Sequence, residues 1–261
     1  MSTLNIERFG HADPTSGNLV FVHGWGIGKA VWHASCERLA THHTIHCVDL
    51  PGYGKSAPDD NFIASANALA NALPDESTLC GWSLGGMLAL QAALLAPQRV
   101  KRLVLVGATP SFTQRSDWPD AQPPELLSTF SSAVADDAAT TLQRFVALLN
   151  QGDSQGRALG RTLNRQLKED ALPDAATLLR GLNWLRDVDL RQQLGALDIP
   201  TLLIHGENDP LMPLAAAQWL HEQLPAAQLE VFPGAAHAPF LNDPERFAKL
   251  IGDYCHAPAL H

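Results

Sequence analysis

The sequence predicts an α/β fold in which helices flank a mostly parallel sheet and a helical segment is inserted between two late strands. Three observations predict it. Strand-like and helix-like stretches alternate along most of the 261 residues. No strand-like run occurs between residues 111 and 190, although strands resume near residue 199. Ser83, flanked by glycines, follows a short apolar strand and precedes a run of strong helix formers. We therefore expect a core formed by residues 1–110 and 191–261, and a helical lid formed by residues 111–190.

The individual elements follow from apolar runs and from the turn residues that bound them. Strands are expected at residues 18–22, 44–49, 77–80, 100–106, 199–205 and 228–232. Core helices are expected at residues 63–73, 86–95, 214–223 and 244–255, and lid helices at 126–135, 138–150, 156–167 and 175–185. Loops rich in glycine and proline follow most of the strands, so functional side chains are expected at the carboxyl edge of the sheet.

Composition narrows the class of protein. Hydrophobic residues make up 46% of the chain, enough for a sizeable core. The N-terminus lacks the order of a signal peptide, and no apolar run approaches the roughly 20 residues that span a bilayer. We expect a soluble, cytoplasmic, monomeric protein that does not bind membranes. The net charge of −9 argues against a general nucleic-acid binder.

Neither a metal nor a disulfide framework is expected. The four cysteines include no C-x-x-C pair. The cluster of His42, His43, His46 and Cys47 matches no zinc-site spacing, and alternation along a strand directs its members to both faces. We expect no metal and no organic cofactor.

The Gly-x-Ser-x-Gly motif at residues 81–85 predicts a nucleophilic serine on a sharp strand-to-helix turn. Such a serine needs a histidine base and an acid that orients it, in the chain order serine, acid, histidine. Asp209 lies in the loop after a late strand, and His237 lies between the last strand and the last helix. Glu207 is the nearest rival acid. Asp187 and Asp189 are weaker rivals, because they precede the strand.

The oxyanion of an acyl-transfer intermediate needs two N–H donors. We expect the backbone N–H of Leu84, the residue after the nucleophile, and that of Trp25 in the glycine-rich loop after an early strand. The rings of Trp25 and Trp82 are equally compatible with walls of an acyl pocket and with core packing.

The predicted lid is unusually basic. Between residues 140 and 168 the only acid is Asp153, whereas five basic side chains are present: Arg144, Arg157, Arg161, Arg165 and Lys168. The last four recur at helical spacing and form one stripe. The stripe is either a solvated helix face or a docking surface for an acidic partner.

Four motifs, together with the basic lid, resemble one family. They are HGWG at residues 23–26, DLPGYGKS at 49–56, GWSLGG at 81–86 and AAHAPF at 235–240, with RFVAL at 144–148 and DVDLR at 187–191 in and after the lid. The chain resembles, over nearly its whole length, the pimeloyl-[acyl-carrier protein] methyl ester esterase (BioH) family of the α/β-hydrolase superfamily.

The resemblance implies the α/β-hydrolase fold and a carboxylesterase that cleaves the methyl ester of pimeloyl-acyl carrier protein in biotin synthesis. It implies a triad of Ser83, Asp209 and His237, with Trp25 and Leu84 at the oxyanion site and in contact with substrate. It also implies an acyl channel lined by Phe145, Val146, Ala147, Leu148 and Leu149. Arg144, Arg157 and Arg161 match family arginines that hold the carrier protein, and Thr140 stands where a fourth is found.

Other functions fit the same motifs. A general short-chain carboxylesterase and a carbon–carbon bond hydrolase share them, because fold does not fix substrate. A non-catalytic ligand-binding relative is the alternative from another class. Ser83 excludes relatives that need an aspartate nucleophile, such as haloalkane dehalogenases.

Overall fold

A seven-stranded sheet forms the centre of the molecule. In the computed structural model, which describes residues 3–10, 17–169 and 172–257, the strand order is β1-β3-β2-β4-β5-β6-β7. The strands are β1 (Ile6–Phe9), β2 (Asn18–Val22), β3 (Thr44–Val48), β4 (Ser77–Trp82), β5 (Val100–Val106), β6 (Thr201–Gly206) and β7 (Ala227–Phe232). All neighbours pair in parallel except β1, which lies antiparallel to β3 at one edge. The expected mostly parallel sheet is confirmed.

Ten α-helices accompany the sheet in these ranges. They are α1 (His33–Leu39), α2 (Phe62–Ala72), α3 (Leu84–Leu95), α4 (Pro124–Asp136), α5 (Ala138–Leu149), α6 (Gly156–Glu169), α7 (Ala175–Asp187), α8 (Leu214–Gln223), α9 (Pro239–Asn242) and α10 (Pro244–His256). Helix α3 lies against β4 and β5 and packs on α2, whereas α1 packs on α10. Within the described ranges no helix is both long and apolar enough to cross a membrane.

The sequence missed three elements: β1, α1 and the four-residue helix α9. Strand β1 has four residues and only one neighbour, so it shows too little alternation to be recognised. Helix α1 has seven residues, and a 3₁₀ turn, Lys29–Trp32, leads into it without a capping side chain. Tertiary contacts fix the turn before it, such as the stack of Trp32 on Phe21 and on Phe240.

Residues 111–190, which we call the helical insert, contain α4 to α7 between β5 and β6. Helix α4 packs against α5 and α7, and α5 packs against α6. The four helices begin and end within about two residues of the sequence expectation. Asp137 and Asp174 accept hydrogen bonds at the N-termini of α5 and α7. Apart from isolated bridges such as the one between Ser111 and Asp189, the described part of the insert contains no strand.

Candidate active site

Ser83 lies at the turn between β4 and α3 in a backbone conformation that non-glycine residues rarely adopt. Its φ is 56° and its ψ is −123°. Such a conformation costs about 1–3 kcal/mol and persists only where the surrounding structure enforces it. The enforcing contact is close packing of backbones, since a Cβ on Gly85 would collide with the carbonyl oxygen of His23. The turn therefore holds the Ser83 hydroxyl at the carboxyl edge of the sheet.

His237 lies within hydrogen-bonding distance of both predicted partners. Its Nε2 is 2.9 Å from Oγ of Ser83, and its Nδ1 is 2.8 Å from Oδ2 of Asp209. The indole N–H of Trp82 donates to the His237 carbonyl at 2.8 Å and fixes the backbone behind the ring. The structure thus brings together the three residues that the sequence singled out from three separate loops.

Asp209 is held by several donors at once. Its Oδ1 accepts hydrogen bonds from the backbone N–H groups of Leu211 and Met212, both at 2.9 Å. Burial by itself raises the pKa of this carboxyl, but the neighbouring His237 and His205 and the Met212 N–H outweigh it, so the pKa of Asp209 lies below its usual value. Asp209 is accordingly an anion suited to orient and charge-stabilise an imidazole.

The rival acids lie elsewhere. Glu207 is exposed and accepts a hydrogen bond from Gly234 N at 2.9 Å. Asp187 pairs with Arg186, and Asp189 pairs with Arg191. His205 is buried, and its Nε2 lies 3.6 Å from Oδ2 of Asp209 and 2.6 Å from the Met212 carbonyl oxygen. None of these four side chains contacts Ser83 through a described hydrogen bond.

The two predicted oxyanion donors flank Ser83. Leu84 is the first residue of α3, so its backbone N–H has no acceptor within the helix. On the other side, a Cβ on Gly24 would lie only 3.1 Å from the Cβ of Ser83, which places the loop that bears Trp25 directly beside the nucleophile.

Tyr53 supports this loop and was not singled out from the sequence. Its hydroxyl oxygen accepts a hydrogen bond from Gly26 N at 2.8 Å. His23 Nε2 accepts one from Leu50 N at 3.0 Å, which joins the same two loops. Only the pairing of β2 with β3 brings residues 23–26 and 50–53 together, and no local sequence signal reports such a pairing.

A small apolar cavity of about 20 Å³ adjoins Ser83. Its lining comes largely from the helical insert and comprises Trp25, Ser83, Phe112, Leu126, Leu127, Phe130, Phe145, Leu182, Leu185 and Leu211. Trp25 packs edge-on against Phe145, with ring centroids 4.8 Å apart, and its indole N–H donates to the Leu178 carbonyl. Trp25 is thus a pocket wall, whereas Trp82 lies behind His237 and packs on Phe240.

The five residues predicted to line an acyl channel, 145–149, have different surroundings in the structure. Of the five residues, only Phe145 lines the cavity beside Ser83. Val146 and Ala147 line a second depression, and Leu148 packs partly against the core. Leu149 is buried, and its carbonyl oxygen accepts a hydrogen bond from His237 N. Because these residues form a helix, successive side chains face different sides, and an acyl channel along all five stays a prediction.

The second depression, which we call the basic groove, has a volume of about 790 Å³. It is lined by Val146, Ala147, Asn150, Asp153, Gly156, Arg157, Gly160, Arg161, Asn164, Arg165 and Lys168. The four cations of the α6 stripe therefore share one surface, as their helical spacing predicts. Arg144 is exposed on α5 but does not line the groove.

No group of three or more potential metal ligands from His, Cys, Asp and Glu occurs within the described ranges. His43 instead stacks on His256, and Cys36 Sγ lies 3.1 Å from Cys47 Sγ in the core.

The fold and the hydrogen-bonded serine, histidine and aspartate define a serine hydrolase that acts on carboxylic esters.

Comparison with known proteins agrees with this class. The alpha/beta hydrolase fold family matches residues 17–244. A pimeloyl-[acyl-carrier protein] methyl ester esterase of Nitrosomonas europaea is 40% identical over 254 residues, covering 96% of this chain and 99% of that protein. One of the same name from Aeromonas salmonicida is 38% identical, covering 95% and 98%. An esterase from Exiguobacterium antarcticum superposes with a TM-score of 0.87 at 25% identity, covering 98% and 96%. The chain belongs to the pimeloyl-[acyl-carrier protein] methyl ester esterase family, within the α/β-hydrolases.

Proposed function

We propose that this enzyme hydrolyses the methyl ester of a pimeloyl chain carried by acyl carrier protein, the step that yields the free carboxylate for biotin synthesis. The structure supports this proposal independently of the relatives' name. The serine–histidine–aspartate hydrogen bonds lie beneath the same helical insert that bears the basic groove. A carrier protein is acidic, and a basic surface of this kind complements it.

The proposed chemistry uses only this chain's residues and water. Ser83 Oγ attacks the ester carbonyl while His237 Nε2 takes its proton, and Asp209 stabilises the resulting imidazolium. The N–H groups of Trp25 and Leu84 stabilise the oxyanion. His237 then gives the proton to the leaving methoxide, and methanol departs from the acyl-enzyme. His237 next deprotonates a water that attacks the acyl-enzyme, which releases the carboxylic acid and restores Ser83.

The basic groove provides the test. We expect Arg157→Glu and Arg161→Glu, alone and with Arg144→Glu, to lower kcat/KM strongly for the carrier-bound methyl ester and to leave p-nitrophenyl acetate almost unaffected. The loss on the carrier substrate should resemble that caused by added salt, because exposed charges are screened beyond about 10 Å at 0.1 M ionic strength. Arg38→Glu, on the exposed side of α1, is the matched charge-reversal control.

The outcomes separate the functions that share this fold. Equal losses on both substrates would mean that the arginines only support the structure of the insert. No loss on either would favour a general short-chain carboxylesterase. Thr140→Arg, one turn before Arg144 on α5, should raise kcat/KM modestly if that helix also faces the carrier. Rescue of growth without biotin in a strain that lacks this esterase step tests the pathway assignment directly.

A further inference from the structure

The segment that joins α5 to α6 packs against the loop that carries His237. Leu149 O accepts a hydrogen bond from His237 N at 3.2 Å, and Ser154 N donates to Gly234 O at 2.8 Å. Asn208, next to Asp209, donates through its side chain to Gly152 O at 3.0 Å. The helical insert therefore contacts the histidine and acid loops through their backbones as well as covering the cavity.

Asp153 makes the only charged contact between this segment and the histidine loop in the described part of the chain. Its Oδ2 accepts a hydrogen bond from Ala236 N, the amide immediately before His237, at 2.8 Å. Its Oδ1 accepts from Nδ2 of Asn242 at 2.8 Å and from Gln155 N at 2.7 Å. Gln155 in turn donates through its side chain to Asn242 O at 2.7 Å. Hydrogen bonds to a carboxylate are roughly twice as strong as neutral ones.

The histidine loop is held by hydrogen bonds to its backbone, because residues 234–236 are a glycine and two alanines, whose side chains form none. Besides Asp153, the Trp82 indole donates to the His237 carbonyl, and Asn208 N donates to the Ala235 carbonyl at 2.9 Å. A shift of the loop would move His237 Nε2 away from Ser83 Oγ and Nδ1 away from Asp209. A displacement of about 1 Å at a reacting group can cost 100-fold in rate.

Asp153 also lines the basic groove, where it is the only acid among the lining residues. One residue thus lines the basic groove and, through its carboxylate, holds the amide that precedes His237. The Asp153 backbone is fixed as well, since its N–H donates to Asn150 O at 3.1 Å and its carbonyl accepts from Gly156 N at 3.1 Å.

We propose that Asp153 is a positioning residue for His237. Its carboxylate fixes the histidine loop from the helical insert and joins that loop to the wall of the basic groove. The inference rests on the proposed role of His237 as the base. It does not rest on the identity of the substrate.

The test uses the full chain and p-nitrophenyl acetate, so that failure of the carrier-protein proposal does not affect it. Asp153→Ala removes both acceptors. We expect kcat per active site to fall about 100-fold with KM nearly unchanged, because alignment rather than binding is lost. Active sites are counted with a serine-reactive phosphonate, so inactive or unfolded molecules do not enter kcat.

Two further variants keep the experiment decisive. Asp153→Asn retains one oxygen for Ala236 N but places an NH₂ group toward the Asn242 amide, so its kcat should fall between that of Asp153→Ala and wild type. Glu207→Ala is the matched control, because it removes a carboxylate that also accepts from a backbone N–H of this loop, at Gly234. Its kcat should stay close to wild type.

A wild-type kcat per titrated site in Asp153→Ala, even with a lowered melting temperature, would overturn the proposal and leave Asp153 a purely structural residue. Equal losses of kcat in Asp153→Ala and Glu207→Ala would overturn it too, since any anchor of the loop would then serve equally. If Asp153→Ala does not fold, Asp153→Asn decides alone, and an unchanged kcat in that variant would contradict the assignment.

Discussion

At the scale of single residues, Ser83 combines a reactive hydroxyl with an unfavourable backbone. Its side chain does not cap α3, although the residue occupies the N-cap position. The hydroxyl is instead directed to His237, so it does not stabilise the N-terminus of α3 as a cap. Strain at this position is the cost of presenting the oxygen at the edge of the sheet.

Replacing Ser83 separates reactivity from strain. Ser83→Ala should remain folded and lose esterase activity by about a million-fold. Ser83→Gly should be equally inactive but more stable than Ser83→Ala by about 1 kcal/mol, because glycine adopts a positive φ without penalty. Urea unfolding of the two variants measures the difference. An alanine variant that retains a tenth of the wild-type rate would place the nucleophile elsewhere.

The acid is tested by a paired substitution. Asp209→Asn should lower kcat by about 10,000-fold, since the amide no longer holds the imidazole in the required tautomer. Glu207→Gln should cost far less, because Glu207 is exposed and contacts Gly234 rather than His237. Steady-state kinetics of both variants on p-nitrophenyl acetate gives the comparison, and a larger loss in Glu207→Gln would reverse the assignment.

At the scale of elements, three helices of the insert, α4, α5 and α7, supply most of the apolar wall beside Ser83. The cavity there has a volume of about 20 Å³, room for about one water molecule. We expect the side chains of these helices to determine which acyl chain fits.

Substitutions of two half-buried side chains of the insert test which residues form the cavity wall. Phe130→Ala, on α4, should raise the ratio of kcat/KM for p-nitrophenyl hexanoate to that for the acetate by about tenfold, since each accommodated methylene is worth about 1–3 kcal/mol. Leu148→Ala, on α5, does not enlarge the cavity and should leave the ratio unchanged. A change in the second variant only would show that the substrate follows the other face of α5.

Local sequence signals located the elements and candidate residues whose determinants lie close together in the chain. The glycines around Ser83, the loop position of Asp209 and the spacing of Arg157 and Arg161 are such signals. The contacts of Tyr53 with Gly26 and of Asp153 with Ala236 join residues far apart in the chain. They depend on strand pairing and on how the insert packs, which no local pattern encodes.

At the scale of the whole molecule, several histidines are buried in neutral form. Burial lowers the pKa of His23 to about 4, although its hydrogen bond to the Gly24 carbonyl and the nearby Asp49 act in the opposite direction. Burial likewise lowers the pKa of His205. An unfolded histidine has a pKa near 6.5. Between about pH 6.5 and 4 the unfolded chain therefore binds protons that the folded chain does not.

The free energy of unfolding should consequently fall as the pH falls through this window, with His23 contributing on the order of 3 kcal/mol. Urea unfolding at pH 7, 5.5 and 4.5 measures the slope. His23→Gln should flatten it, and His221→Gln, at an exposed position of α8, should not. Identical slopes in both variants would show that other groups dominate the acid response.

The helical insert is hydrogen-bonded to the loops that carry Asp209 and His237 at two points along its course. Near its beginning, the Gln122 side chain donates to the carbonyls of Pro210 and Leu211, beside Asp209; near its middle, Asp153 holds the amide before His237. Exchanging the helical insert between related α/β-hydrolases is one way to alter substrate selectivity. Given the proposed role of Asp153, we expect a helical insert exchanged between relatives to keep the rate only if it supplies equivalents of Gln122 and Asp153. Chimeras with junctions that preserve these two residues are the ones to build.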